Sequence, residues 1–90
     1  MPEPRDGVEV ALRSMVGHAF VVTHGLATEP ELYGSEMLRE MLAYSARTSA
    51  AIRRRPASEI TAEALRSLAD LRDVAAAVLM ARTEPAGGPC

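Results

Sequence analysis

From Val8 onward the apolar residues fall at Val8, Leu12, Met15, Ala19, Val22 and Leu26, a 4-3-4-3-4 spacing. That is one stripe of an amphipathic helix. Val16 and Phe20 widen the stripe, and Gly25 is placed to stop the helix. A second pattern runs through Met37, Leu38, Met41, Leu42, Tyr44 and Ile52. Its later half, "SARTSAA", carries small side chains that either let a neighbouring helix approach closely or leave room for a ligand. Arg53, Arg54 and Arg55 favour the negative end of this helix, and Pro56 stops it. The third pattern starts near Ser58 or Thr61 and continues through Ile60, Ala64, Leu65, Leu68, Leu71, Ala75, Val78 and Leu79. Glu59, Glu63, Arg66, Asp70 and Asp73 form its opposite, solvated face at spacings that favour ion pairing. Its end, "VAAAVLMA", is apolar nearly all round, as in a helix covered on several sides.

Between the first two helices lies "ATEPELYGSEML". Thr28 and Glu31 match a capping box, and Pro30 sits where a missing N–H costs nothing. Gly34 interrupts, after which Ser35 is positioned to cap a new start with Glu36 in its first turn. The stretch therefore predicts one short turn before the main second helix. Strand-like alternation is absent, and the connections are short. The predicted architecture is all-α: an antiparallel, up-down-up three-helix unit spanning 7–82, with flexible ends at 1–6 and 83–90.

Size changes this picture. A domain of under 90 residues buries roughly 60% of its unfolded surface and is marginal alone. One Phe, two Tyr and no Trp leave Leu, Val, Met and Ala to fill the core. A partner is expected, most simply a second copy packing through Leu12, Met15, Phe20, Leu68, Leu71, Val78 and Leu79, with helix 2 completing the core. A helical partner protein is the other option. Met15, Met37, Met41 and Met80 all fall on predicted inner faces.

Charge and chemistry exclude more than they assign. Net charge is −2, and all ten cations are Arg. That balance gives no support for general nucleic-acid binding, and the Arg53–Arg55 triplet alone is a thin footprint. Cys90 is the only cysteine, so neither an internal disulfide framework nor a thiolate metal site is expected. No apolar run is long enough to cross a membrane, and the acidic N-terminus lacks an export signal. The expected compartment is a reducing cytoplasm. His18 and His24 stand six apart, a poor spacing for a shared metal. No cofactor, metal or catalytic group is assigned. His18, Tyr33, Tyr44 and Arg47 are the candidates for holding a small ligand in a pocket between helices 1 and 2. Ser35, about 35 residues in and at a helix start, also resembles the attachment serine of phosphopantetheine carrier proteins in "GSEML".

"THGLATEPELYGSEMLREML" resembles a family of short, uncharacterised all-helical actinobacterial proteins often found near natural-product biosynthesis genes. The residues that carry the resemblance are Glu29, Pro30, Tyr33, Gly34 and Arg39. It implies a biosynthetic context and no particular chemistry. The expectation is thus a small, non-catalytic accessory or interaction protein that forms a homodimer. A small-molecule-binding protein or small helical enzyme is the first alternative, and a carrier modified at Ser35 is the second.

Overall fold

The computed structural model describes residues 6–83. Helix α1 spans Asp6–Thr28, a single 3₁₀ turn covers Pro30–Leu32, α2 spans Ser35–Arg53, and α3 spans Glu59–Thr83. No strand occurs among these residues. The outer parts of the expected flexible ends, together with Cys90, lie outside the described residues.

Packing is organised around α3. Both α1 and α2 pack extensively against it, whereas α1 and α2 make little direct contact with each other. One apolar cluster joins Ile52 of α2 to Ala64 and Leu68 of α3, with Leu12, Met15 and Val16 of α1 against it. The other joins Leu26, Leu38, Leu71 and Ala75, with Val22, Tyr33, Met41, Leu42, Val74, Val78 and Leu79 packed around them. The pairings fix the directions: α1 and α3 run parallel, and α2 runs antiparallel to both. The up-down-up helical unit expected from the periodicity is present. Leu26, Leu38 and Leu68 are the largest fully buried side chains, each removing about 2 kcal/mol worth of apolar surface from water.

Small residues on α2 serve close packing. Ser45 is 2% exposed, and its hydroxyl has no hydrogen-bond partner. Its low bulk lets α2 settle against α3, so Ser45 serves helix approach, whereas Ala51 at the end of "SARTSAA" lines open space facing α1. Leu68 and Leu71 are likewise covered inside one chain. The expectation that the stripes of helices 1 and 3 meet across an interface between copies is corrected for these two residues: the stripes meet within the protomer. Met37 and Met80 are exposed, whereas Met15 and Met41 are half-buried, so only half of the methionine group reaches the core.

Three local expectations also change. Helix α1 does not stop at Gly25 but runs on to Thr28, whose hydroxyl donates back to the His24 carbonyl at 2.9 Å. No Thr28–Glu31 capping box forms. The 3₁₀ turn is instead closed by Leu32 N–H to Glu29 C=O at 3.1 Å and Tyr33 N–H to Pro30 C=O at 3.0 Å. At α2 the N-cap is Gly34, with no side-chain cap, so Ser35 is the first helical residue and not the cap. Helix α3 has the reciprocal arrangement that α2 lacks. The Ser58 N–H donates to Thr61 Oγ1 at 2.8 Å, and the Thr61 N–H donates to Ser58 Oγ at 3.3 Å. Thr61 thereby does what Glu or Gln does in the usual capping box. On the solvated face of α3, the one side-chain ion pair among the described residues is Arg72–Asp73 at 3.0 Å, not the expected i, i+4 ladder.

Gly25 and Tyr33 decide the corner. A Cβ at Gly25 would collide with the Tyr33 hydroxyl and stand 3.3 Å from Cζ. Glycine is needed because the tyrosine ring lies directly on the helix backbone, while Tyr33 packs against the Leu26–Leu38 cluster. The Tyr pins the end of α1 to the start of α2.

Gly25→Ala is expected to destabilise the wild-type chain by about 1–3 kcal/mol through overpacking. In a Tyr33→Ala background the same change is expected to stabilise by up to about 1 kcal/mol, because helix propensity is then all that remains. Urea unfolding of the four-member cycle reads the change of sign. Ser58→Ala should cost about 1 kcal/mol in the same assay.

Candidate functional site

Because α1 and α2 flank α3 without packing on one another, a trough lies between them. Its upper part has a volume of about 440 Å³ and is lined by Ala11, Ser14, Met15, His18, Ala19 and Val22 of α1, Met41 and Tyr44 of α2, and Leu71 of α3 as floor. It continues toward the other end of the molecule past Val8, Ala11 and Leu12 on one wall and Ala51, Ile52 and Arg55 on the other. The sequence dictates this surface on both sides. Ala11, His18 and Val22 follow the edge of the α1 stripe, and Met41 and Tyr44 follow the edge of the α2 stripe, at three- and four-residue steps. Val8, Met37 and Tyr44 are exposed large apolar residues.

Two of the four predicted ligand residues, His18 and Tyr44, meet across this trough. The other two do not join them. Tyr33 is held in the corner against Gly25. Arg47 lies with Glu36, Arg39, Glu40 and Ala43 along the outer face of α2 and does not line the space that holds His18 and Tyr44. The polar groups of the trough's upper part are Ser14, His18 and Tyr44, and Arg55 stands on its continuation. Ser14 and His18 stand one turn apart, and no hydrogen bond among the described residues joins them. The chemistry on offer is an apolar bed with two adaptable methionines and three polar side chains on its walls.

A second groove, of about 360 Å³, runs between α1 and α3, lined by Phe20, Thr23, His24 and Ala27 opposite Ser67, Asp70, Asp73 and Val74. No group of three or more His, Cys, Asp or Glu among the described residues is arranged to hold a metal ion. No helix among them is long and apolar enough to cross a membrane.

Ser35 is half-buried, and Arg82 at the end of α3 donates to its hydroxyl at 3.1 Å and to the Pro30 carbonyl at 2.7 Å. Arg82 ties the corner to α3 across 47 and 52 residues of sequence. Sequence reasoning missed it, since nothing local marks which Arg of ten closes a corner. Near the other end, Arg13 pairs with Glu9 at 2.7 Å. The hydrogen bond and charge of Glu9 raise the Arg13 pKa above its usual value.

Among the predicted interface residues, Leu12 and Met15 are half-buried beside the trough, Val78 and Leu79 are half-buried against the upper cluster, and Phe20 stands 72% exposed on α1. The wider pattern concerns α1 itself. From Ser14 to Thr28 it carries no Asp, Glu, Lys or Arg, yet only the face toward α3 is covered. Val10 and Val21, on its outer side, are 63% and 67% exposed. By contrast, the outer faces of α2 and α3 carry Glu36, Arg39, Glu40, Arg47, Glu63, Arg66, Asp70 and Asp73, all exposed. No family model matches the chain, and no curated protein or solved structure matches it either.

His18→Ala is expected to leave unfolding stability within about 0.5 kcal/mol of wild type, since His18 stands exposed on an open wall. Arg82→Ala should cost about 0.5–1 kcal/mol, the worth of hydrogen bonds at an exposed site. Chemical denaturation followed by circular dichroism measures both.

Proposed function

We propose that this chain is a small non-catalytic helical interaction protein that works by association, with a second copy of itself or with a helical partner. The observation that carries the reading is the unpartnered apolar surface of α1 and the trough beside it. A helix laid there would meet Val8, Met15, Val22, Met41 and Tyr44, and would supply the packing that α1 and α2 do not give each other. Helix-in-groove recognition uses this kind of bed, in which apolar residues at helical spacing provide the affinity and polar side chains at the rim fix the register. The resemblance carried by Glu29, Pro30, Tyr33 and Gly34 suits an accessory role beside natural-product biosynthesis enzymes.

A second reading is supported by His18 and Tyr44 facing each other across a trough of about 440 Å³. A small ligand with an apolar body and one hydrogen-bonding group would fit those walls. The carrier reading finds less support, because Ser35 is half-buried and engaged by Arg82.

Sedimentation equilibrium of the full chain tests the first reading. The expected mass exceeds 9.6 kDa at micromolar concentration and changes little between low and high salt, because the surface is apolar and not charged. Tyr44→Glu should weaken association about tenfold or more by placing a charge on the trough wall. A mass of 9.6 kDa at every concentration, with saturable binding of an amphipathic fluorescent probe lost in Tyr44→Ala, would transfer the conclusion to the ligand reading.

A further inference from the structure

We propose that the trough between α1 and α2 binds a single-chain anionic amphipath, a fatty acid whose carboxylate meets Arg55 and whose hydrocarbon chain lies along the floor toward Val22. This deepens the small-ligand reading, the second of the two above, and rests on it.

Shape points to one extended chain. From Val8 to Val22 the α1 wall runs about 21 Å at about 1.5 Å per residue. A staggered chain of C–C bonds about 1.5 Å long advances about 1.3 Å per carbon, so about sixteen carbons span it. The upper part spreads about 440 Å³ between Ala11 and Val22, about 16 Å of helix, which leaves a channel roughly 5 Å wide. A hydrocarbon chain is about 4–5 Å thick by carbon contact distances and fills that width. A helix, about 10 Å across, rests on the rim and reaches the floor with side chains only.

Charge sets the class of head group. Among the described residues, Arg55 is the one charged side chain on the lining of either part of the trough, and no Asp or Glu stands there. Arg55 makes no ion pair with another described residue, whereas Arg13 is already held by Glu9. The groove between α1 and α3 is the opposite case, with Asp70 and Asp73 on its wall. Of the two, the trough is the one that accepts an anion, and a guanidinium presents a fork that matches a carboxylate.

The walls suit the tail. Met15, Val22 and Met41, half-buried beside Leu71, make an apolar floor, and the two methionines adapt to the bends of a flexible chain. Leu12 and Ile52 carry that floor on to Arg55. Ser14, His18 and Tyr44 stand exposed, so a chain lying on the floor leaves their polar atoms in water and incurs no desolvation cost there.

The test is equilibrium dialysis of the full chain against radiolabelled fatty acids of increasing length, each below its micelle concentration, with circular dichroism of every variant. Affinity should rise roughly twofold to threefold with each added methylene, one side of the chain remaining in water, and level near about sixteen carbons. Wild type should prefer hexadecanoate about fivefold over hexadecanol, the neutral probe of equal length, and Arg55→Ala should remove that preference. Ala11→Glu, where the two parts of the trough meet, should weaken hexadecanoate about tenfold or more at unchanged helical content. Ala43→Glu, on the charged outer face of α2, should bind as wild type. If hexadecanol binds as well as hexadecanoate and Arg55→Ala changes neither, the anionic class is wrong while the small-ligand reading stands. If affinity keeps climbing with length, or Ala43→Glu weakens binding as much as Ala11→Glu, the chain lies elsewhere and the proposed site falls. If no probe binds, both the site and the small-ligand reading fall, and self-association lost in Ala11→Glu would assign the trough to a helix of a second copy.

Discussion

Everything in this molecule depends on α3 being covered from two sides at once. Leu68 and Leu71 contribute to clusters that draw α1 in from one direction and α2 from the other. A helix of 25 residues can serve as a common strut because its apolar positions recur as Ala64, Leu68, Leu71 and Ala75, a stripe whose alanines admit close neighbours. With both outer helices committed to α3, neither has a face left with which to pack well on the other. The trough between them follows from that division of contacts and not from any special sequence at its walls.

The corner at residues 29–35 matters for the same reason. Helices that do not grip each other need their ends fixed, and the chain fixes them with three contacts. Tyr33 lies on the bare backbone of Gly25. The 3₁₀ turn shortens the connection. Arg82 reaches back from the end of α3 to the Pro30 carbonyl and the Ser35 hydroxyl. At the opposite end, Ser58 and Thr61 satisfy the first turn of α3 reciprocally. The strut is thereby held at both ends, and the middle of α1 is left with its outer half uncovered. Apolar surface left facing water is unfavourable there and would be favoured against a like surface.

Much of the fold could be read from the chain before folding. The 4-3-4-3-4 stripe of α1, the Pro56 stop and the short turn before Ser35 depend on neighbours within one or two turns, and such signals are written locally. His18 and Tyr44 were also legible as candidates, since each sits at the edge of its own stripe. The separation of Tyr33 and Arg47 from them was not, because relative rotation of two helices is set by what both pack against.

Sequence by itself determined that the chain makes three amphipathic helices and where each apolar face runs. Periodicity and solvation act residue by residue, so they need no knowledge of the rest. Only the tertiary structure decided that Leu68 and Leu71 are spent inside the protomer, that Gly25 makes room for a ring and does not end a helix, that Gly34 takes the cap in place of Ser35, and that Arg82 closes the corner. Each of those outcomes turns on which atoms lie within a few ångströms across long stretches of chain, and that information exists only once α3 has gathered its neighbours.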